Sequence, residues 1–159
     1  MIDKLGFLVR FWELKARHAA LGQPLSAGEQ VELLSLMQLV TGDFKMPAPG
    51  DYDRPSDALP AQLIGEGTIL SVEVRYVCAA AVLVAGAKAM TPGERSIVRT
   101  GDAVAGTEFS LPCTVAWVHH ATPYIMALAI DGVPTRTLLA EPRAALRMFS
   151  IGRQARLVG

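Results

Sequence analysis

From Phe109 to Val118 the chain alternates, with Phe109, Leu111, Cys113, Val115 and Trp117 apolar and Ser110, Pro112 and Thr114 between them. That two-residue period marks a strand with one buried face, and it predicts that all five apolar residues point into a core. Tyr124 to Ile130 repeats the pattern, with Tyr124, Met126, Leu128 and Ile130 on one side. The five residues between, His119-His120-Ala121-Thr122-Pro123, suit a hairpin loop. Upstream, Val72, Val74, Tyr76 and Cys78 alternate with Glu73 and Arg75, and Val82-Leu83-Val84 supplies a partner strand. Strands in series joined by short turns make an antiparallel barrel or sandwich, not a parallel sheet.

The first forty residues follow a different period. Leu5, Leu8, Val9, Trp12, Ala16, Ala19 and Ala20 recur at steps of three and four, which places them on one side of a helix, and Phe7, Phe11 and Leu14 widen that stripe. Gly22-Gln23-Pro24 interrupts it. Ser26 with Glu29 three residues on is a capping box, so a second helix starts there, carrying Val31, Leu33, Leu34, Leu36, Met37, Leu39 and Val40. Two such helices form a hairpin whose apolar surface exceeds what the pair can bury. It must pack on the barrel or on another copy, through residues 2–41. Met46 to Pro60 holds four prolines and almost no large apolar residue, as a solvated linker would. Pro142 opens a short apolar stretch through Phe149, read as a closing helix. The resulting division is a hairpin over 1–44, a Pro-rich linker over 45–63, a barrel over 64–140, and a C-terminal helix and tail over 141–159.

Charge and composition narrow the function. Fifteen basic residues balance fifteen acidic ones, which leaves no net basic character for a nucleic-acid partner. The start is charged and amphipathic, and no run reaches the roughly 18 apolar residues of a membrane span, so a cytoplasmic protein is expected. Cys78 and Cys113 fall on apolar faces, where buried thiols are expected. Catalysis needs a nucleophile with its base, paired carboxylates or a metal cluster, and none is visible. His119 and His120 are adjacent on a strand and would point apart. His18 has no companion at ligand spacing. Gly101 to Gly106 lacks the Lys-Ser/Thr of a phosphate loop, and Asp51, Asp53 and Asp57 lack the spacing and terminal glutamate of a calcium loop. No enzyme activity, cofactor or metal is expected.

Taken in order, VEVRY from Val72, the turn TPGE before SIVRT at Ser96 to Thr100, VAGTEFSL from Val104, CTVAWV from Cys113 and the strand ending in Asp131-Gly132 resemble a PilZ domain over roughly Ile64 to Pro134. The hairpin with its Gly-x-Pro-Leu-Ser turn is similar to an arm that precedes some PilZ domains of gliding bacteria. The resemblance implies a mainly β protein built on a six-stranded antiparallel barrel with an N-terminal helical hairpin and a short C-terminal helix. Members that bind cyclic di-GMP use Arg-x-x-x-Arg before the first strand and Asp/Asn-x-Ser-x-x-Gly in a loop. Here Ala61 to Ser71 holds no arginine, and the second motif falls on Ala89 to Glu94, with Ala89, Thr91 and Glu94 at its three defining positions. Losing two or three charge-assisted contacts at about 1.5–3 kcal/mol each removes the basis of binding. The resemblance then implies an adaptor that binds protein partners in motility or cell-polarity control. Arg75, Arg95, Arg99, His119, His120 and Tyr124 are the candidate contact residues. The alternative is a nucleotide sensor that uses non-standard residues such as Arg75, Arg95 and Arg99.

Overall fold

The computed structural model describes residues 2–20, 22, 24–40, 44–48, 58–86 and 90–139. Helix α1 (Ile2–Ala19) and helix α2 (Ala27–Val40) form the expected hairpin, turning at Gly22, whose φ of 88° suits a residue without a Cβ. The capping box is formed in both directions. The Glu29 amide donates to Ser26 Oγ and the Ser26 amide donates to Glu29 Oε1, each at 3.1 Å. Between the helices, Arg10 forks onto Glu32 at 2.8 and 3.0 Å, and Arg17 pairs with Glu29. Such partly exposed pairs add at most about 1 kcal/mol each, so they orient the helices more than they hold them. The holding comes from Leu5, Leu8, Val9, Phe11 and Leu14 of α1 and Leu33, Leu36 and Val40 of α2, all buried. At about 1.5–3 kcal/mol for each large side chain, burial dominates.

Among the described residues seven strands follow: β1 (Leu59–Gly65), β2 (Thr68–Val77), β3 (Ala81–Gly86), β4 (Arg95–Asp102), β5 (Thr107–His119), β6 (Tyr124–Ile130) and β7 (Thr135–Leu138). All pair antiparallel in the order β4-β1-β2-β3-β6-β5, and β4 pairs with β5 to close a six-stranded barrel. β7 is an added strand, lying along Thr107 to Ser110 of β5 and against α1. Registered rows fill the interior: Ala61, Thr100 and Phe109; Leu63, Val98 and Leu111; Val74, Val84, Met126 and Val118; Val77, Val82, Leu128 and Val115. Thr100 is fully buried and settles its hydroxyl on the Pro60 carbonyl at 2.9 Å. Hairpin and barrel share one continuous apolar cluster, so the inner side of the hairpin is covered by its own chain.

Three expectations change. The strand preceding β2 starts at Leu59, inside the stretch read as linker, and pairs with both β2 and β4. Tyr76 turns outward, because the register of β2 shifts between Val74 and Tyr76 and Val77 takes the inner place. Trp117 also turns outward. One extra residue, Ala116, sits between Val115 and Trp117, and a bulge of one residue exchanges the faces of everything after it. Val118 therefore packs on the core. Trp117 lies in an outer row with Ala127, Leu83 and Tyr76.

Pro47 lies against that row. Trp117 Nε1 donates to the Pro47 carbonyl at 3.0 Å, and Pro47 is buried. At one end of the row the Lys4 ammonium stands 5.0 Å from the centre of the Tyr76 ring, so the start of α1 reaches the outside of β2. The closing helix expected over 141–159 lies outside the described residues.

Two outcomes follow for stability. Leu111→Ala should cost about 2–5 kcal/mol, whereas Trp117→Phe, which loses one partly exposed hydrogen bond, should cost about 0.5–1.5 kcal/mol and stay folded in urea titrations. The reverse order would place Trp117 inside. In the hairpin, the Ser26 amide and then Arg17 hold the Glu29 carboxyl below its usual 4.5, and the Arg10 hydrogen bonds do the same for Glu32. A carboxyl depressed in the folded state contributes fully above its unfolded value and loses that contribution as pH falls through its folded one. Helical ellipticity should therefore become more heat-sensitive below about pH 4.5, and less steeply so in Glu32→Gln.

Candidate functional site

Antiparallel pairing brings three connections to one end of the barrel: the β1–β2 turn at Glu66-Gly67, the approach to β4 over residues 90–94, and the β5–β6 turn over 120–123. The first two enclose a cavity of about 730 Å³. Its floor is Leu63 and Leu70 from the interior and Met90 from above. Its rim carries Glu66, Thr68, Thr91, Glu94 and Arg95. The size is that of a small-molecule site.

Glycines let this mouth close in. A Cβ on Gly65 would stand 3.0 Å from Met90 Cε, the movable end of that side chain, so the thioether tip rests close over the bare strand. Gly93 turns at φ 93°; its amide donates to the Val115 carbonyl at 2.8 Å, and the Val115 amide donates to the Glu94 carbonyl at 2.9 Å. The loop is thus pinned to β5 at the residue before the bulge. Electrostatically, the described rim holds two carboxylates and one guanidinium. Arg95 has Asp131 at 3.7 Å, and Asp131 in turn accepts from the Thr114 hydroxyl at 2.6 Å. An anion carrying two phosphates would meet more repulsion than attraction here.

The candidate residues divide by position. Thr91, Glu94 and Arg95 stand at the cavity, while Ala89 lies outside the described residues. His119, His120 and Tyr124 belong to the β5–β6 turn at the same end, where the His120 and Tyr124 rings meet edge to face at 5.8 Å. Arg99 is on the outer surface of β4, bound to Glu108 at 2.7 Å. Arg75 occupies the bulge of β2, its side chain 14% exposed and 3.8 Å from Glu73. Of the three arginines considered for a nucleotide, only Arg95 lines the cavity. The resemblance put its first, arginine-bearing motif over Ala61 to Ser71, and Leu63, Glu66 and Thr68 of that stretch line the cavity, though residue pattern alone does not single them out. The signal available was the Glu-Gly pair, a common turn dipeptide between two short apolar runs.

Among the described residues no group of three or more His, Cys, Asp or Glu is placed to hold a metal ion, and no helix is long and apolar enough to cross a membrane. Cys78 and Cys113 are free and buried. Burial, with a smaller push from Asp131, raises the Cys113 thiol to about 12, which withholds the nucleophilic thiolate at neutral pH.

A second surface lies on the hairpin. Val31, Leu34 and Leu39 of α2 are 65, 62 and 67% exposed, and Phe7 of α1 is 53% exposed. Large apolar side chains concentrated on one helix are uncommon on a surface that faces only water. No family model matches the chain, and no curated protein matches it.

Both thiols should stay inert to an aromatic disulfide reagent in the native protein at pH 8 and react completely in denaturant. Rapid reaction of either one under native conditions would contradict the packing described.

Proposed function

We propose that this protein is a non-enzymatic, PilZ-like adaptor that works through protein contacts in bacterial motility or cell-polarity control, resides in the cytoplasm, and does not bind cyclic di-GMP. The observation that carries the reading is the exposed apolar side of α2, a contact surface with no matching polar chemistry. The barrel end supports it from the other direction. Among the described residues the cavity has a guanidinium only at Arg95, and Glu66 and Glu94 flank the space where phosphates would lie. Recognition of a guanine dinucleotide rests on forked guanidinium contacts to base and phosphate, and one arginine engaged with Asp131 does not supply them. The hairpin serves contact with a partner or a second copy, and His119, His120 and Tyr124 offer a polar contact edge at the barrel end.

Calorimetry at low salt should detect no cyclic di-GMP binding. A dissociation constant of about 10 μM or tighter, which is roughly 7 kcal/mol, would overturn the reading in favour of a nucleotide sensor.

A further inference from the structure

We infer that the barrel mouth and an isoleucine row beside it form a docking surface for a basic, partly apolar segment of a partner protein, with one lysine or arginine side chain seated in the cavity. This rests on the reading of the protein as an adaptor and names the chemistry of what it contacts.

Charge selects the occupant. Among the described residues the side chains of Glu66 and Glu94, both at the cavity, have no ion pair and no hydrogen bond. The other described acids of the barrel are engaged: Glu73 with Arg75, Glu108 with Arg99, Asp131 with Arg95 and Thr114, and Asp102 with the amides of Val104 and Ala105. Arg95 therefore has a carboxylate of its own in Asp131, at 3.7 Å, and the mouth keeps two that are uncompensated. Such a site attracts a cation and steers away phosphate, nucleic acid and an anionic membrane.

Shape decides what kind of cation. Below the carboxylates lie Leu63, Leu70 and Met90. Met90 is set there from the interior, since its amide donates to the Met126 sulfur at 3.3 Å. A lysine or arginine carries its charge at the end of an aliphatic stem, so the stem covers this floor while the charge stays at the rim. The thioether is the most adaptable of apolar walls for such a stem. A bare metal ion would leave the floor wet, and among the described residues no group of three His, Cys, Asp or Glu is placed to hold one. At about 730 Å³ the cavity also admits the backbone that bears the side chain.

The surface beside the mouth says that the cation arrives on a peptide. Ile64 pairs with Ile69 on one side and with Ile97 on the other, which sets three isoleucines in one row across β2, β1 and β4. Ile69 is 68% and Ile97 38% exposed, and Ile64 is half-buried. The row borders the cavity: Gly65 and Thr68, which line it, adjoin Ile64 and Ile69, and Arg95 stands on the same side of β4 as Ile97. Branched side chains in register make a firm apolar ledge. A free polyamine has nothing to lay on it, whereas the apolar neighbours of a lysine in a protein segment do.

The probe is a labelled peptide of about eight residues, alternating leucine and lysine, titrated into the full chain at about 50 mM salt and read by fluorescence polarisation. It should bind with a dissociation constant on the order of 10–100 μM, and its counterpart with glutamate for lysine should not bind. In protein labelled at the methionine methyls, the Met90 resonance should shift and that of Met37 on α2 should not. Glu66→Gln with Glu94→Gln should weaken binding about tenfold or more. Glu94→Gln alone serves should the double variant unfold, and should weaken it about threefold. Ile69→Ser with Ile97→Ser should also weaken it, whereas Glu13→Gln on α1 should change nothing. Spermidine should bind at least about tenfold more weakly than the peptide. No peptide binding up to about 1 mM, an affinity unmoved by the glutamine variants, a response at Met37 in place of Met90, or spermidine as tight as the peptide overturns the inference. Each of these leaves the adaptor reading intact, since that reading falls on cyclic di-GMP binding instead.

Discussion

Closure of the barrel depends on one strand, β5, which is paired along both edges. Its thirteen residues meet β4 on one side, and on the other they meet β7 first and β6 afterwards. A sheet with an open edge exposes a row of unpaired amides and carbonyls, and closing it removes that liability. The length of β5 sets the rest. Its early half carries the interior side chains Phe109, Leu111 and Cys113 against β4, and its later half passes the β4 entry, so that Val115 can pin the 91–94 turn by two backbone hydrogen bonds. The bulge at Ala116 then redirects the strand's last residues. The cavity mouth and the outer row of Trp117 are consequences of the same strand on either side of that extra residue.

Much of this was legible because most strands have one wet face. β4 and β5 alternate in sequence as they alternate in burial, and the Ser26–Glu29 cap fixed the start of α2 to the residue. What escaped reading did so for physical reasons. β3 is buried on both faces from Ala81 to Gly86, so its sequence is a continuous apolar run that shows where a strand is but not which side is inner. Nothing in Val115-Ala116-Trp117 announces a bulge. The extra residue is decided by the outer row, where Trp117 finds Pro47 and covers Ala127, and that partner lies 70 residues away in the chain. β1 was hidden by Pro60. A proline within a strand normally argues against one, yet here its carbonyl is needed to satisfy Thr100 at the centre of the barrel.

The site was legible through the resemblance more than through pattern. Its second motif falls on Ala89 to Glu94, and Thr91 and Glu94 do stand at a cavity, because a loop entering β4 must lie over the end of the barrel whatever its residues. Its first motif falls on Ala61 to Ser71, and Glu66 and Thr68 of that stretch form the facing half. Proximity of the two depends on pairing of β1 with β4, a long-range register that local pattern does not encode. The same register explains why Arg75 and Arg99 stand apart from Arg95. Arg99 points outward from β4 and is bound to Glu108, whereas Arg75 is mostly buried at the β2 bulge, 3.8 Å from Glu73 and with no hydrogen-bond partner for its Nε.

The hairpin shows how charge can be withdrawn from a surface by being used inside. A free amphipathic helix would put its glutamates in water and its leucines against the protein. In α2 the glutamates face the neighbouring helix because arginines wait there, seven residues apart on α1 at Arg10 and Arg17, and only Leu33, Leu36 and Val40 are needed to complete the inner contact. Val31, Leu34 and Leu39 are then left exposed on the outside, with the partly exposed Glu32 beside Leu39. Covering them would release apolar surface from water at the cost of desolvating the exposed part of Glu32, a cost reduced because Arg10 already pairs with it. The barrel mouth differs in kind: a ligand there must displace water from Glu66 and Glu94, whereas the exposed part of α2 is mostly apolar.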